Sequence, residues 1–242
     1  MEHDGTQHRF SESEIQAHGA LETGRILFRE NSSFVICGRS GSGKTTFIYE
    51  ILKNAELMFE NKNNRKTVVL YCYSAYQPLF DRMKEDVNNI IFHKGLPDEE
   101  DIDKVTDAAS KHLILVVDDL MRQVVSSQVI FNYFTVKAHH QGTSVIYVSH
   151  NLFQQGKYSR SITLNSSYFI LFQNPRGADQ IQTLSRQIFP GQKDAVVQAY
   201  RMAMKIREYS YLILDMTANV PEALRMRSCV LPDEVTRIFS LN

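Results

Sequence analysis

Short apolar runs alternate with longer stretches of helical periodicity along most of this chain. The runs at 34–37, 67–73, 113–117, 144–148, 168–172 and 211–216 are rich in Val, Ile, Leu, Phe and Tyr, and polar or turn-forming residues follow each. They read as buried strands, with a weaker one at 89–93. Between them, Phe47, Ile48, Ile51, Leu52, Ala55, Met58 and Phe59 recur at helical spacing over 46–59. Leu79, Phe80 and Met83 predict a short helix, and Ile102, Val105 and Ala109 predict another over 99–111. An amphipathic helix is expected over 124–140, stopped by Gly142. A polar helix follows 174–177 and closes at Pro190 and Gly191, and a further one spans 193–208. Strands alternating with helices predict an α/β fold, with a parallel or mostly parallel sheet covered on both faces. Residues 1–32 are polar and mixed in charge and read as an N-terminal arm. Ser11 and Glu14 there resemble a capping box ahead of a short helix. The single domain is expected over 33–242, with short turns from Pro221 onward.

Composition narrows the function classes. The 242 residues suit one sizeable α/β domain with little left for a second. Lys and Arg together number 27, as do Asp and Glu, so no global field advertises nucleic acid, although a local basic surface remains open. Cys37, Cys72 and Cys229 are odd in number, far apart and without metal spacing, which points to a reducing, intracellular setting. The polar N-terminus lacks the apolar core of a signal peptide, and no apolar run approaches bilayer length. The expectation is a soluble, intracellular protein without a membrane partner.

Candidate chemistry begins after the first strand. Gly38, Gly43, Lys44 and Thr45 fit G-x-x-x-x-G-K-[ST], between the strand at 34–37 and the helix that starts near Thr46. Strand, glycine loop and helix together make a phosphate-binding loop. Its residues are Gly38, Arg39, Ser40, Gly41, Ser42, Gly43, Lys44, Thr45 and Thr46. Backbone N–H groups curl around an anion there, and the helix N-terminus adds partial positive charge. Lys44 would reach the outer phosphates of ATP, and the Thr45 hydroxyl would ligate Mg²⁺. The loop needs a partner strand carrying an acid at its end. The run at 113–117, followed by Asp118 and Asp119, is the convincing candidate. Asp118 would hold Mg²⁺ through its water shell, and Asp119 would polarise the attacking water. Two acids after a strand also suit a solvated turn or helix cap.

Ser149, His150 and Asn151 end the next strong strand, where an open parallel sheet places its ligand crevice. His150 or Asn151 could hydrogen-bond phosphate or water there, or simply form a polar turn. Arg160, in the following loop, and Arg176, in an Asn-Pro-Arg turn, are candidate arginine fingers for a neighbouring subunit's site, or ordinary solvated arginines. His139 and His140 are consecutive, share no helix face, and suit a helix C-terminus better than a metal. Tyr71, Tyr73 and Tyr76 read as packing residues and not as a stacking platform for nucleic acid.

These motifs resemble the genome-packaging ATPases of the FtsK/HerA superfamily, in the branch of Polinton (Maverick) elements, adintovirus-like and virophage relatives and, more distantly, poxviruses. The resemblance rests on the segments at 38–45, 116–121, 144–153, 160–165, 172–176 and 211–215. It extends over about 33–233. It implies a RecA-like P-loop ATPase that binds ATP and Mg²⁺ and assembles into a homo-oligomeric ring of five or six subunits. Such a ring drives double-stranded DNA into a capsid and meets capsid or portal-vertex proteins at an assembly site or virion. The family's nucleotide role falls on Gly38 to Thr45 and its acids on Asp118 and Asp119. Its polar sensor, usually a Gln, falls on His150, a departure in residue type. The expected function is therefore ATP-driven DNA translocation. A nucleotide or small-molecule kinase and a non-hydrolysing, ATP-bound scaffold are the alternatives.

Overall fold

The computed structural model describes residues 26–60, 64–105, 111–137, 142–175, 177–218 and 220–239. Its strands are β1 (Ser33–Cys37), β2 (Lys66–Tyr73), β3 (Ile90–Lys94), β4 (Lys111–Asp118), β5 (Thr143–Ser149), β6 (Tyr168–Phe172), β7 (Tyr211–Asp215), β8 (Met226–Ser228) and β9 (Arg237–Ile238). They form one sheet in the order β3-β2-β4-β5-β1-β6-β7-β8-β9. Every pairing from β3 to β6 is parallel, and the three from β6 to β9 are antiparallel. The mixed α/β fold with a mostly parallel sheet is the one the apolar alternation predicts.

Side chains alternate along each strand, and the two sets feed two separate cores. Phe34, Ile36, Ile114, Val116, Ile146, Val148, Ile170 and Phe172 pack on one face. Against them lie helix α1 (Lys44–Lys53), α2 (Ala55–Met58) and α3 (Leu79–Asp86). Val35, Leu113, Leu115, Val117, Val145, Phe169 and Leu171 occupy the other face. That face is covered by α4 (Glu99–Val105), α5 (Met121–Val124), α6 (Gln128–Asn132), α7 (Ser159–Leu164), α8 (Ala178–Ile188) and α9 (Lys193–Ala203). A strand buried on both sides is apolar at nearly every position, which explains why these runs read as continuous; the buried polar pair His112 and Ser144 lies within hydrogen-bond reach at 2.9 Å. Cys37, Cys72 and Cys229 are all free and buried. Among the described residues, no helix is long and apolar enough to cross a membrane.

Several boundaries differ from the sequence reading. The helix expected over 46–59 breaks at Asn54 into α1 and α2; Asn54 bonds back to the Glu50 carbonyl through both its backbone N–H and its side chain. The amphipathic segment from 124 is not one helix. It is α5, then a break in which Ser127 caps α6, then a π-helical turn over Tyr133–Lys137. The Ser127 Oγ accepts from the Ile130 N–H, and a local cap of this kind outcompetes continuation of the helix. The helix expected over 99–111 is seen as α4, and Lys111 already belongs to β4. The tail past Pro221 supplies β8 and β9 as well as turns. Phe28 is buried, exchanges backbone hydrogen bonds with Met58 and Glu60, and packs edge-on against Phe34 and Tyr168. The described end of the N-terminal segment is thus part of the core. The capping box at Ser11–Glu14, His139, His140 and Arg176 lie outside the described residues.

Candidate phosphate-binding site

Strand order sets the geometry of the site. β1 delivers the glycine loop, β4 delivers Asp118 and Asp119, and β5, lying between them, delivers His150. The strands end nearly flush: Cys37 pairs with Ser149, and Val148 pairs with Asp118. Three segments from distant parts of the chain therefore meet at one carboxyl-end edge. A cavity of about 880 Å³ opens there, lined among others by Ser40, Gly41, Ser42, Gly43, Lys44, Thr45, Thr46, Asp118, Asp119 and His150.

The loop has the form of an anion cradle. Gly43 has φ of 93°, a left-handed conformation that glycine adopts without steric cost, and it precedes the first turn of α1. A Cβ at Gly38 would lie 2.6 Å from the Phe172 Cβ and 2.8 Å from the Ser42 Oγ, so only glycine lets the loop turn this tightly. Lys44 is buried, and its Nζ donates to the carbonyls of Gly38 and Arg39, each at 2.8 Å. Burial lowers its pKa from the usual lysine value, opposed by Cys37, Asp118 and Asp119. The Ser42 Oγ is buried without a hydrogen-bond partner among the described residues. An orphaned donor inside a ring of backbone amides fits a bound polyphosphate. No acid occupies the first turn of α1, so its positive end is left for a ligand.

On the opposite wall Asp118 is buried, and its Oδ2 accepts a 2.7 Å hydrogen bond from the Tyr71 hydroxyl on the neighbouring strand. Burial raises the Asp118 pKa, with the Tyr71 hydrogen bond opposing. Asp119 is exposed and takes φ of 57°, a conformation uncommon for residues with a Cβ. His150 joins the two walls. Its Nδ1 lies 3.2 Å from the Gly38 carbonyl and 3.5 Å from the Lys44 Nζ, while its Nε2 lies 3.5 Å from the Asp119 Oδ1.

Other expected site residues fall elsewhere. Arg39 is exposed and contributes its carbonyl to Lys44, but it does not line the cavity. Asn151 turns toward α8, where its Oδ1 accepts from the Gln180 Nε2 at 3.2 Å. It is not brought to the cavity with His150. Arg160 is exposed on α7, also outside the cavity. The sequence reading gave no site role to Tyr71, read as packing, to Asn174, noted only within the Asn-Pro-Arg turn, or to Gln77 and the segment 207–209. Asn174 donates to the His150 carbonyl at 3.3 Å, while Gln77, Arg207, Glu208 and Tyr209 line the cavity. Local spacing gives none of them a role at the site, because their places there depend on which strands become neighbours.

The chain has a P-loop NTPase fold of the RecA-like, additional-strand type, in which β5 separates the glycine-loop strand from the acidic strand. No family model matches the chain, and no curated protein matches it. The DNA-packaging ATPase B204 from Sulfolobus Turreted Icosahedral Virus is similar in structure. Its TM-score is 0.50 at 12% identity, covering 87% of this chain and 98% of that one. The genome packaging NTPase B204 from Sulfolobus turreted icosahedral virus 2, in complex with ATP-gammaS, gives 0.49 at 12% identity, over 87% and 97%. A KaiC-like protein from Pyrococcus horikoshii OT3 gives 0.47 at 14% identity, over 88% and 91%. At such identities the likeness concerns the fold alone.

Proposed function

We propose that the chain is an ATP-hydrolysing, double-stranded DNA translocase that packages the genome of a virus or virus-like element into a capsid. The observation that carries the nucleotide half is the convergence of the glycine loop, Asp118, Asp119 and His150 on one cavity. The DNA half is supported by the motif resemblance to packaging ATPases and by a fold similar to that of a viral DNA-packaging ATPase.

In this reading the loop amides bind the phosphates, and Lys44 exchanges the Gly38 and Arg39 carbonyls for phosphate oxygens. Thr45 and Asp118 would hold Mg²⁺, Asp118 through water; the ion, when bound, neutralises charge on the outer phosphates. Tyr71 occupies one Asp118 oxygen and leaves the other for that water. Asp119 orients the attacking water and accepts its proton, with His150 alongside as the polar group that senses the outer phosphate. Asn174 holds the His150 backbone, so a shift of His150 is carried into the turn after β6. A ring of five or six copies would place each site beside a neighbour, with Arg160 or Arg176 completing it in trans. Phe28 and Ser32 already pack into the ATPase core, so of the arm expected over 1–32 only the residues ahead of them would contact a neighbour or a capsid-vertex protein. The strand inserted between β1 and β4 weighs against the kinase alternative.

Steady-state ATP hydrolysis with and without linear double-stranded DNA tests this reading. Turnover should rise with DNA and fall at least about a hundredfold in Lys44→Ala and Asp119→Asn. ATP binding without turnover in the wild type would sink the motor and leave the scaffold. Turnover indifferent to DNA would reopen the kinase, and an acceptor screen would follow.

A further inference from the structure

The cavity has a second end that the phosphate chemistry does not use. Taking β1 as the centre, the acids lie two strands away on one side, after β4. On the other side, β7 runs antiparallel to β6, and Tyr211 pairs with Phe172. The segment leading into β7 therefore arrives at the same edge as the glycine loop, opposite the acids. A triphosphate lying along the loop with its outer phosphate toward Asp118 and Asp119 must extend its ribose and base toward this segment.

Tyr209 stands there. Its side chain meets Gly43 so closely that a Cβ on Gly43 would lie 3.0 Å from the Tyr209 Cβ and 3.3 Å from its Cδ1. Yet the residue is 57% exposed, with its ring beside the cavity. Its backbone φ is 59°, a left-handed conformation that is a genuine outlier for a bulky residue. Six described non-glycine residues have positive φ; three are asparagines, which tolerate it, and Asp119 and Tyr209 both line this cavity. Strain of this kind collects at functional sites, where surrounding structure holds it. Here the brace is visible. Arg207 pairs with Glu234, which also accepts from the Tyr211 hydroxyl at 3.0 Å and from the Leu231 N–H at 3.2 Å. Phe47, which also lines the cavity, packs on Tyr211 with ring centroids 4.4 Å apart and adds apolar surface beside this segment.

We propose that Tyr209 is the stacking face of a nucleobase subsite, taking the base of the nucleotide whose phosphates the glycine loop binds. This deepens the nucleotide-binding reading and rests on it. Stacking on one ring is tolerant of base identity and favours the larger face of a purine.

Titration calorimetry on the full chain separates the two ends of the cavity, using a non-hydrolysable adenosine triphosphate analogue and inorganic tripolyphosphate as probes. Tyr209→Ala should weaken the analogue about tenfold and leave tripolyphosphate unchanged, while Tyr209→Phe should bind both as the wild type does. Equal weakening of both probes would show that Tyr209 merely props Gly43 and would overturn the subsite. Unchanged affinity for both in Tyr209→Ala would overturn it too. A wild-type chain that binds neither probe would overturn the nucleotide reading and the subsite with it, a result visible before any variant is made.

Discussion

Asp118 shows at the scale of one residue how function and stability oppose each other. Its carboxyl is buried at the end of β4, across the cavity from the glycine loop, and burial raises its pKa from the ordinary 3.8. A raised carboxyl means that the folded chain holds its proton longer than the unfolded chain does. The penalty is absent below the unfolded value, grows as pH climbs from there to the folded value, and is fully present above it. Asp118→Asn keeps an oxygen for the Tyr71 hydroxyl and removes the charge. The variant should melt higher than the wild type at pH 7, by about 2–4 °C for each kcal/mol relieved in a chain of this length. The difference should vanish near the unfolded value, while Mg²⁺-dependent hydrolysis falls at least about a hundredfold. Thermal unfolding across a pH series, beside a turnover assay, checks both halves. Equal melting at neutral pH would mean that Lys44 already offsets the buried charge.

The sheet's far edge decides stability at the scale of elements. Arg227 on β8 is fully buried, and its Nη2 lies 2.8 Å from the Asp215 Oδ2 at the end of β7. That approach is ionic and not an aligned hydrogen bond, whereas Nη1 donates to the Leu224 carbonyl at 2.9 Å. Asp215 is satisfied further by the Thr217 hydroxyl at 2.6 Å and the Thr217 N–H at 3.0 Å. Arg227→Ala leaves a buried carboxylate without its cation and should cost about 3–5 kcal/mol in a denaturant titration. A loss below about 1 kcal/mol would mean that the Thr217 donors hold the Asp215 carboxylate without the guanidinium. Nothing in the pattern of the tail announces this pair. Met226, Arg227 and Ser228 are too few to read as a strand, and an arginine inside one reads as surface.

At the scale of the whole molecule, the question is whether one chain suffices. Arg160 is exposed on α7 and does not reach the cavity of its own chain. If it completes a neighbour's site, Arg160→Ala should keep wild-type ATP affinity but lose DNA-stimulated turnover about a thousandfold. Mixing that variant with Lys44→Ala should restore part of the activity, because each supplies what the other lacks. No recovery on mixing, or no loss in the variant alone, would remove Arg160 from the mechanism.

The sequence by itself determined the alternation of strands and helices, the glycine loop at 38–45 and the acids at 118–119. These are local patterns: a strand buried on both faces is apolar along most of its length, and a tight anion cradle needs glycine at fixed spacing. His150 was legible for the same reason, since it directly follows a strand end. Its neighbour Asn151 shares that signal but turns to Gln180, because the loop direction after a strand is set by what packs beyond it. Tertiary structure alone decided that Tyr71 holds Asp118, that Asn174 holds His150, and that Tyr209 stands beside Gly43. Each of these pairs joins residues far apart in the chain, brought together by strand order and register. A periodicity of two or 3.6 residues carries no information about which strands become neighbours.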